Sequence, residues 1–159
     1  MTSTRGHPQD GGLHHPPAAA PPSALPRGLR LLGWCGLLPF AGALALALLI
    51  PGWRGPALGA FVAYSAIILS FLGGTRWGRG LAGAASPWRY LESTLPSLLG
   101  FAALMLPFKQ PWSLLLLAVG YALWLLLDLR DARWSPAYKR MRAGISAVVL
   151  LMHAAWWVL

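Results

Sequence analysis

Few residues in this chain have the chemistry to act on anything, and they are thinly spread. The acids are Asp10, Glu92, Asp128 and Asp131, and the single cysteine, Cys35, sits in an apolar segment. A lone cysteine offers no disulfide framework and no metal spacing. An ionisable group inside an apolar run is costly to bury and is a functional candidate by default. His153, nine residues past Gly144, is the one well inside such a run. It offers a proton relay or a partner for another helix; equally, a neutral imidazole in the outer third of a short helix reaches the interface, with Trp156 and Trp157 beside it.

At the ends of other apolar runs Glu92, Asp128 and Asp131 face Arg76, Arg79, Arg89, Arg130 and Arg133. One reading is a polar site for a lipid headgroup or an anionic solute, with Arg76 and Arg79 as ligands. The other is interfacial ion pairing of little energetic worth. Paired carboxylates need a shared pocket for acid–base work, and the spacing does not place Glu92 beside Asp128. Tyr64 and Ser65, with Trp77 further along the same run, offer hydrogen bonds to a substrate or, more commonly, to a neighbouring helix. No HExxH, GxSxG, P-loop or paired-cysteine pattern occurs, so no catalytic residue, metal or cofactor is expected.

The elements that must position these groups are membrane helices. Of 159 residues 57% are hydrophobic and 11% charged, against about 25% charged in a soluble domain. The formal charge is +9, but the basic residues lie between apolar runs, not in one patch, which argues against nucleic acid as a partner and for the bilayer. Residues 1–28, rich in Pro, Gly, His and Ala, predict a disordered tail; its His7, His14 and His15 have no acidic or cysteine partners at metal-ligand spacing.

Residues 29–159 predict an all-α bundle of five transmembrane helices, over about 31–50, 57–78, 87–106, 112–129 and 143–159. Ser86 before Pro87 reads as an N-cap and first-turn pair. Pro39 and Pro96 lie inside apolar segments and predict kinks. Their surroundings, LLPFAGALALALLIPGW and TLPSLLGFAALMLPFKQPW, are alike enough for a duplicated hairpin, although leucine-rich segments also look alike by chance.

The second helix carries the motif around which the rest is arranged. Ala66, Ser70, Gly74 and Gly78 recur every four residues, and Gly73 joins them on the same side. Small residues at that spacing let two membrane helices approach closely. The basic residues then orient the path: along five alternating spans eleven fall on one side and two, Arg54 and Lys109, on the other. By the positive-inside rule the N-terminus is cytoplasmic and the C-terminus external. Tryptophans cluster near the proposed helix ends, and only Trp124 reads as deep.

The stretches GWCGLLPF (33–40), YSAIILSFLGGTRWG (64–78), LPSLL (95–99) and LDLR (127–130) resemble the transmembrane protein 69 family. That resemblance covers about residues 30–155 and implies a small multi-pass protein of the bacterial inner membrane with mitochondrial relatives. It implies no activity, substrate or catalytic residue. Where relatives carry a histidine beside the final Trp-Gly, this chain has Arg76. The expectation is a non-enzymatic accessory or assembly component working through helix packing, with a membrane-protein partner or a second copy of itself; the alternative is a small oligomeric transporter or channel.

Overall fold

The computed structural model describes residues 25–83, 86–106 and 111–159, and every regular element in them is helical. The expected tail, its histidines, Pro107 and Lys109 lie outside the described residues, except that Arg27 and Gly28 open the first helix. The elements are α1 (Arg27–Cys35), α2 (Leu38–Leu49), α3 (Arg54–Leu81), α4 (Pro87–Met105), α5 (Pro111–Arg130) and α6 (Pro136–Val158).

The first expected span is therefore two helices. Pro39 is the second residue of α2, where its missing N–H costs nothing, and the chain turns just before it at Gly36 and Leu37. The break leaves the Gly36 carbonyl without a helical amide, and the Tyr64 hydroxyl of α3 donates to it at 3.0 Å. Beyond the break α1 leans on α6, where Gly33 and Trp34 meet Met141, Gly144 and Ile145. In contrast, α2 stays on α3, its Phe40 ring edge-on to Phe61 and Tyr64 at 5.2 and 4.8 Å.

Pro96 behaves differently from Pro39. It lies within a continuous α4 and is buried against α3. A Cβ on Gly73 would collide with the Ser93 carbonyl and with the Pro96 ring, and one on Gly100 would come within 3.0 Å of the Ala66 carbonyl. These two glycines let α3 and α4 pack with backbones almost touching, the most extensive helix pairing in the fold. The two prolines thus occupy unlike settings.

Among the described residues four stretches are long and apolar enough to cross a bilayer: Arg27–Leu49, Arg54–Leu81, Pro111–Arg130 and Pro136–Val158. Pro87–Met105, the expected third span, is a 19-residue helix but does not meet that standard, because Arg89 and Glu92 dilute its first turns. It still runs antiparallel to α3, from the Tyr90 hydroxyl on the Gly80 carbonyl to Gly100 on Ala66. The last helix begins seven residues before the expected start at 143, because the Ser135 hydroxyl caps it by accepting from the Tyr138 amide.

The core lies among α2, α3, α5 and α6, where Phe61, Leu69, Leu117, Tyr121 and Trp124 are buried. Trp156 is buried too, whereas Trp34, Trp53, Trp77, Trp88, Trp112 and Trp157 are exposed.

Candidate functional site

Four helices each contribute one charge to a cluster at the same end of the bundle. Arg76 lies near the end of α3, Glu92 in the second turn of α4, Asp128 near the end of α5 and Arg142 in the second turn of α6. The α3–α4 hairpin and the α5–α6 hairpin each fold an acid back onto a base, and Arg76 joins the two. Its Nη2 donates to Glu92 Oε1 and its Nη1 to Asp128 Oδ1, both at 2.9 Å. Arg142 Nε donates to Asp128 Oδ2 at 3.1 Å.

The side chains of Asp128 and Arg142 are only 4% and 7% exposed, against 29% for Glu92. Two cations and two anions cancel, and Asp128 has both oxygens taken by guanidinium groups. A buried set of this kind is expensive to break, about 3–5 kcal/mol when one partner is lost. It ties four helices together through a carboxylate whose two oxygens each accept from a different arginine.

Around it the end of the bundle is dressed by further cations. Arg79 sits 3.7 Å over the Trp134 ring and donates to the Arg133 carbonyl, and Trp134 stacks on Tyr138. In the α5–α6 loop Arg133 Nη2 meets Asp131 Oδ2 at 2.6 Å, and this bond holds the Asp131 carboxyl well below the ordinary carboxylate range. Arg76 is thus engaged by two carboxylates, and Arg79 by a ring and one carbonyl.

The remaining expected polar residues form a second, separate group. His153 does not reach the interface; it is buried among Phe40, Phe61 and Tyr121. Its Nδ1 lies 2.8 Å from the Val149 carbonyl, which can only accept, so Nδ1 carries the proton and Nε2 accepts from the Ser65 hydroxyl at 3.0 Å. Tyr121 donates to the Ser65 carbonyl at 2.9 Å. Ser65 and Arg76 are eleven residues apart on α3, about 16 Å along its axis. The expected single polar site is thus two sites, with Tyr64 at the α1–α2 break and an exposed Trp77 edge-on to Tyr90.

The small-residue motif likewise divides. Ala66, Ser70 and Gly73 pack against α4, while Gly74 and Gly78 are exposed with open space where a Cβ would stand. Together with Ile67, Phe71 and Leu81 they form one outward stripe along α3.

Two functional residues escaped the sequence reading. Arg142 was counted only as a topological charge, although it stands seven residues after Ser135 while Asp128 stands seven before it, an equal distance from the turn of a hairpin. Tyr121, seven residues before Asp128, shares its face of α5 by the same periodicity.

The profile of a family described as "Protein of unknown function (DUF3429)" matches residues 25–158. Transmembrane protein 69 of Xenopus tropicalis is 35% identical over 131 residues, covering 79% of this chain and 51% of that protein. The chain therefore spans about half the length of that relative. No solved structure matches it.

Proposed function

This chain belongs to the DUF3429 family and is a multi-helix membrane protein related to transmembrane protein 69, and from that premise we propose that it is a non-enzymatic accessory or assembly component of a larger membrane complex. The observation that carries this reading is the outward stripe of α3. Gly74 and Gly78 lie between Ile67, Phe71 and Leu81 with nothing over them, a surface that admits a foreign helix at close range. The partner on this reading is a helix of another membrane protein, and lipid covers the rest. In this proposal α4 crosses with the other helices in a five-span path through the bacterial inner membrane, with the charge cluster on the cytoplasmic side and Leu159 external.

The test is a gentle-detergent pull-down of the tagged protein from its own membrane. Wild type should retain a stoichiometric partner and Gly74→Leu should lose it while its helicity and melting stay unchanged. A protein that purifies alone would contradict the proposal.

A small oligomeric transporter or channel is favoured by one observation only, the helix break before Pro39 beside a cavity. Solute flux into liposomes holding the pure protein, slowed by Pro39→Ala, would support that alternative over the first.

A further inference from the structure

Because α1 turns away from α3 at the Gly36–Leu37 break and leans on α6, a cavity of about 370 Å³ is left between α1, α3 and α6. Its volume falls at the lower end of the range for ligand pockets. Leu29, Leu32 and Phe71, all exposed, stand at its rim, so it opens to the side of the bundle. It runs from Phe40 and Val149 at one end to Thr75, Tyr138 and Arg142 at the charged end. The break that creates it is held by the Tyr64–Gly36 hydrogen bond.

Its wall is largely apolar; of its polar side chains Thr75 and Tyr121 are hydrogen-bonded within the bundle, whereas Arg142 and Ser146 each keep a buried atom without a partner. Arg142 and Ser146, one turn apart on α6, both line it and are 6% and 1% exposed. Asp128 takes Arg142 Nε, but Arg142 Nη2 and Ser146 Oγ have no hydrogen-bond partner in the described residues. A buried donor left unmade costs the full desolvation of that group, and buried polar groups are normally paired. Of the six buried side-chain atoms left unpaired among the described residues, the other four, on Ser113, Trp124, Trp134 and Trp156, belong to residues off this cavity, and the two on its wall mark where a ligand's polar atoms belong.

The surroundings specify the sign of the ligand. The four-group cluster is neutral, but Arg27, Arg30, Arg79, Arg89, Arg130, Arg133, Lys139 and Arg140 crowd the same end against Asp131 alone among the described residues. That field favours an anion.

We propose that this cavity holds a single-chain anionic amphiphile, its apolar chain lying between α1 and α3 toward Val149 and its carboxylate or phosphate head accepting from Arg142 Nη2 and Ser146 Oγ. Such a ligand lies as a lipid of the same leaflet lies, and enters sideways from the bilayer past Leu32 and Phe71. The head completes the hydrogen bonding of α6, and the chain fills space that the broken first helix leaves open.

The test is equilibrium binding of labelled palmitate and of labelled lysophosphatidate to the purified full chain in nanodiscs of neutral lipid, with palmitate methyl ester as the uncharged control. Saturable binding of one molecule per protein is expected for palmitate, lysophosphatidate or both, and which binds distinguishes a fatty acid from a phospholipid source. Ser146→Ala should weaken it about tenfold, the worth of one hydrogen bond to a charged group. Ile68→Trp, which fills the chain end of the cavity without touching the charges, should abolish it. Both variants should keep wild-type helicity and melting. Binding of neither anion, equal binding of the methyl ester, or undiminished binding to a folded Ile68→Trp protein would each overturn the proposal.

Discussion

Asp128 is the residue on which the charged end of the bundle depends most. It is the only acid that touches two guanidinium groups among the described residues, and both its oxygens are used. Asp128→Asn should destabilise the protein by about 3–5 kcal/mol, read as a lowered melting midpoint in detergent. Adding Arg142→Gln should cost less than the two single changes together, because the charge it removes has already lost its partner. Ser65→Ala deprives His153 Nε2 of its donor and should cost about 1–3 kcal/mol without affecting partner retention. The loop pair behaves otherwise: the Asp131 carboxyl is depressed by its bond to Arg133. A depressed acid contributes stability fully above its unfolded value and loses it as pH falls through the folded one. Asp131→Asn should therefore lower the melting midpoint throughout neutral and mildly acidic pH, and the difference from wild type should shrink and disappear as the pH falls below the ordinary carboxylate range. At this scale the sequence was partly legible. That Glu92, Asp128 and Arg76 are polar groups at helix ends could be read directly, but their meeting depends on which helices are neighbours, which no local pattern states. For His153 two readings stood, a partner for another helix and an interfacial imidazole, because position along a helix gives depth in the bilayer and not the face; its face is turned toward Ser65.

Among the elements, α3 is the one that serves two surfaces. Its inner face carries Ala66, Ser70 and Gly73 against α4, and its outer face carries Gly74 and Gly78. Adjacent glycines should accordingly respond in opposite ways. Gly73→Ala places a methyl into the Ser93 carbonyl and the Pro96 ring and should destabilise by about 1–3 kcal/mol, whereas Gly74→Ala should leave the melting midpoint within about 0.5 kcal/mol of wild type. The four-residue spacing announced close packing, yet it merged two neighbouring stripes, because a motif running from Ala66 to Gly78 winds far enough round the helix to show both faces. Helix boundaries were legible where chemistry marks them. Pro87 opens α4 as expected, although the Ser86 hydroxyl makes no capping bond. The start of α6 was displaced because Lys139, Arg140 and Arg142 look like a loop, while the Ser135–Pro136 signal before them was the better guide. At Pro39 the sequence indicated a disturbance but not that the chain would break before it and send α1 to α6.

At the scale of the whole molecule, composition and the long unbroken apolar runs identified an all-helical membrane protein, since the alternative way to satisfy a backbone in lipid, a closed barrel, needs short alternating segments. What composition left open is how many helices cross, because α4 is half interfacial in character and half apolar. Its antiparallel run along α3 and the arrival of α5 at the far end fit a crossing. In the five-span path a periplasm-active reporter fused after Leu159 should be active, and one inserted in the Asp131–Ser135 loop should be silent; the reverse pattern would require a different path. On the proposed function, the open stripe of α3 is where this protein meets another. The most direct measurement places a photoreactive side chain at Phe71 in the native membrane, with the same group at Leu98 on α4 as the reference. Cross-linking at Phe71 to one polypeptide of distinct mass, absent at Leu98 and lost with Gly74→Leu, is the predicted result. Adducts to lipid alone at both positions would contradict it.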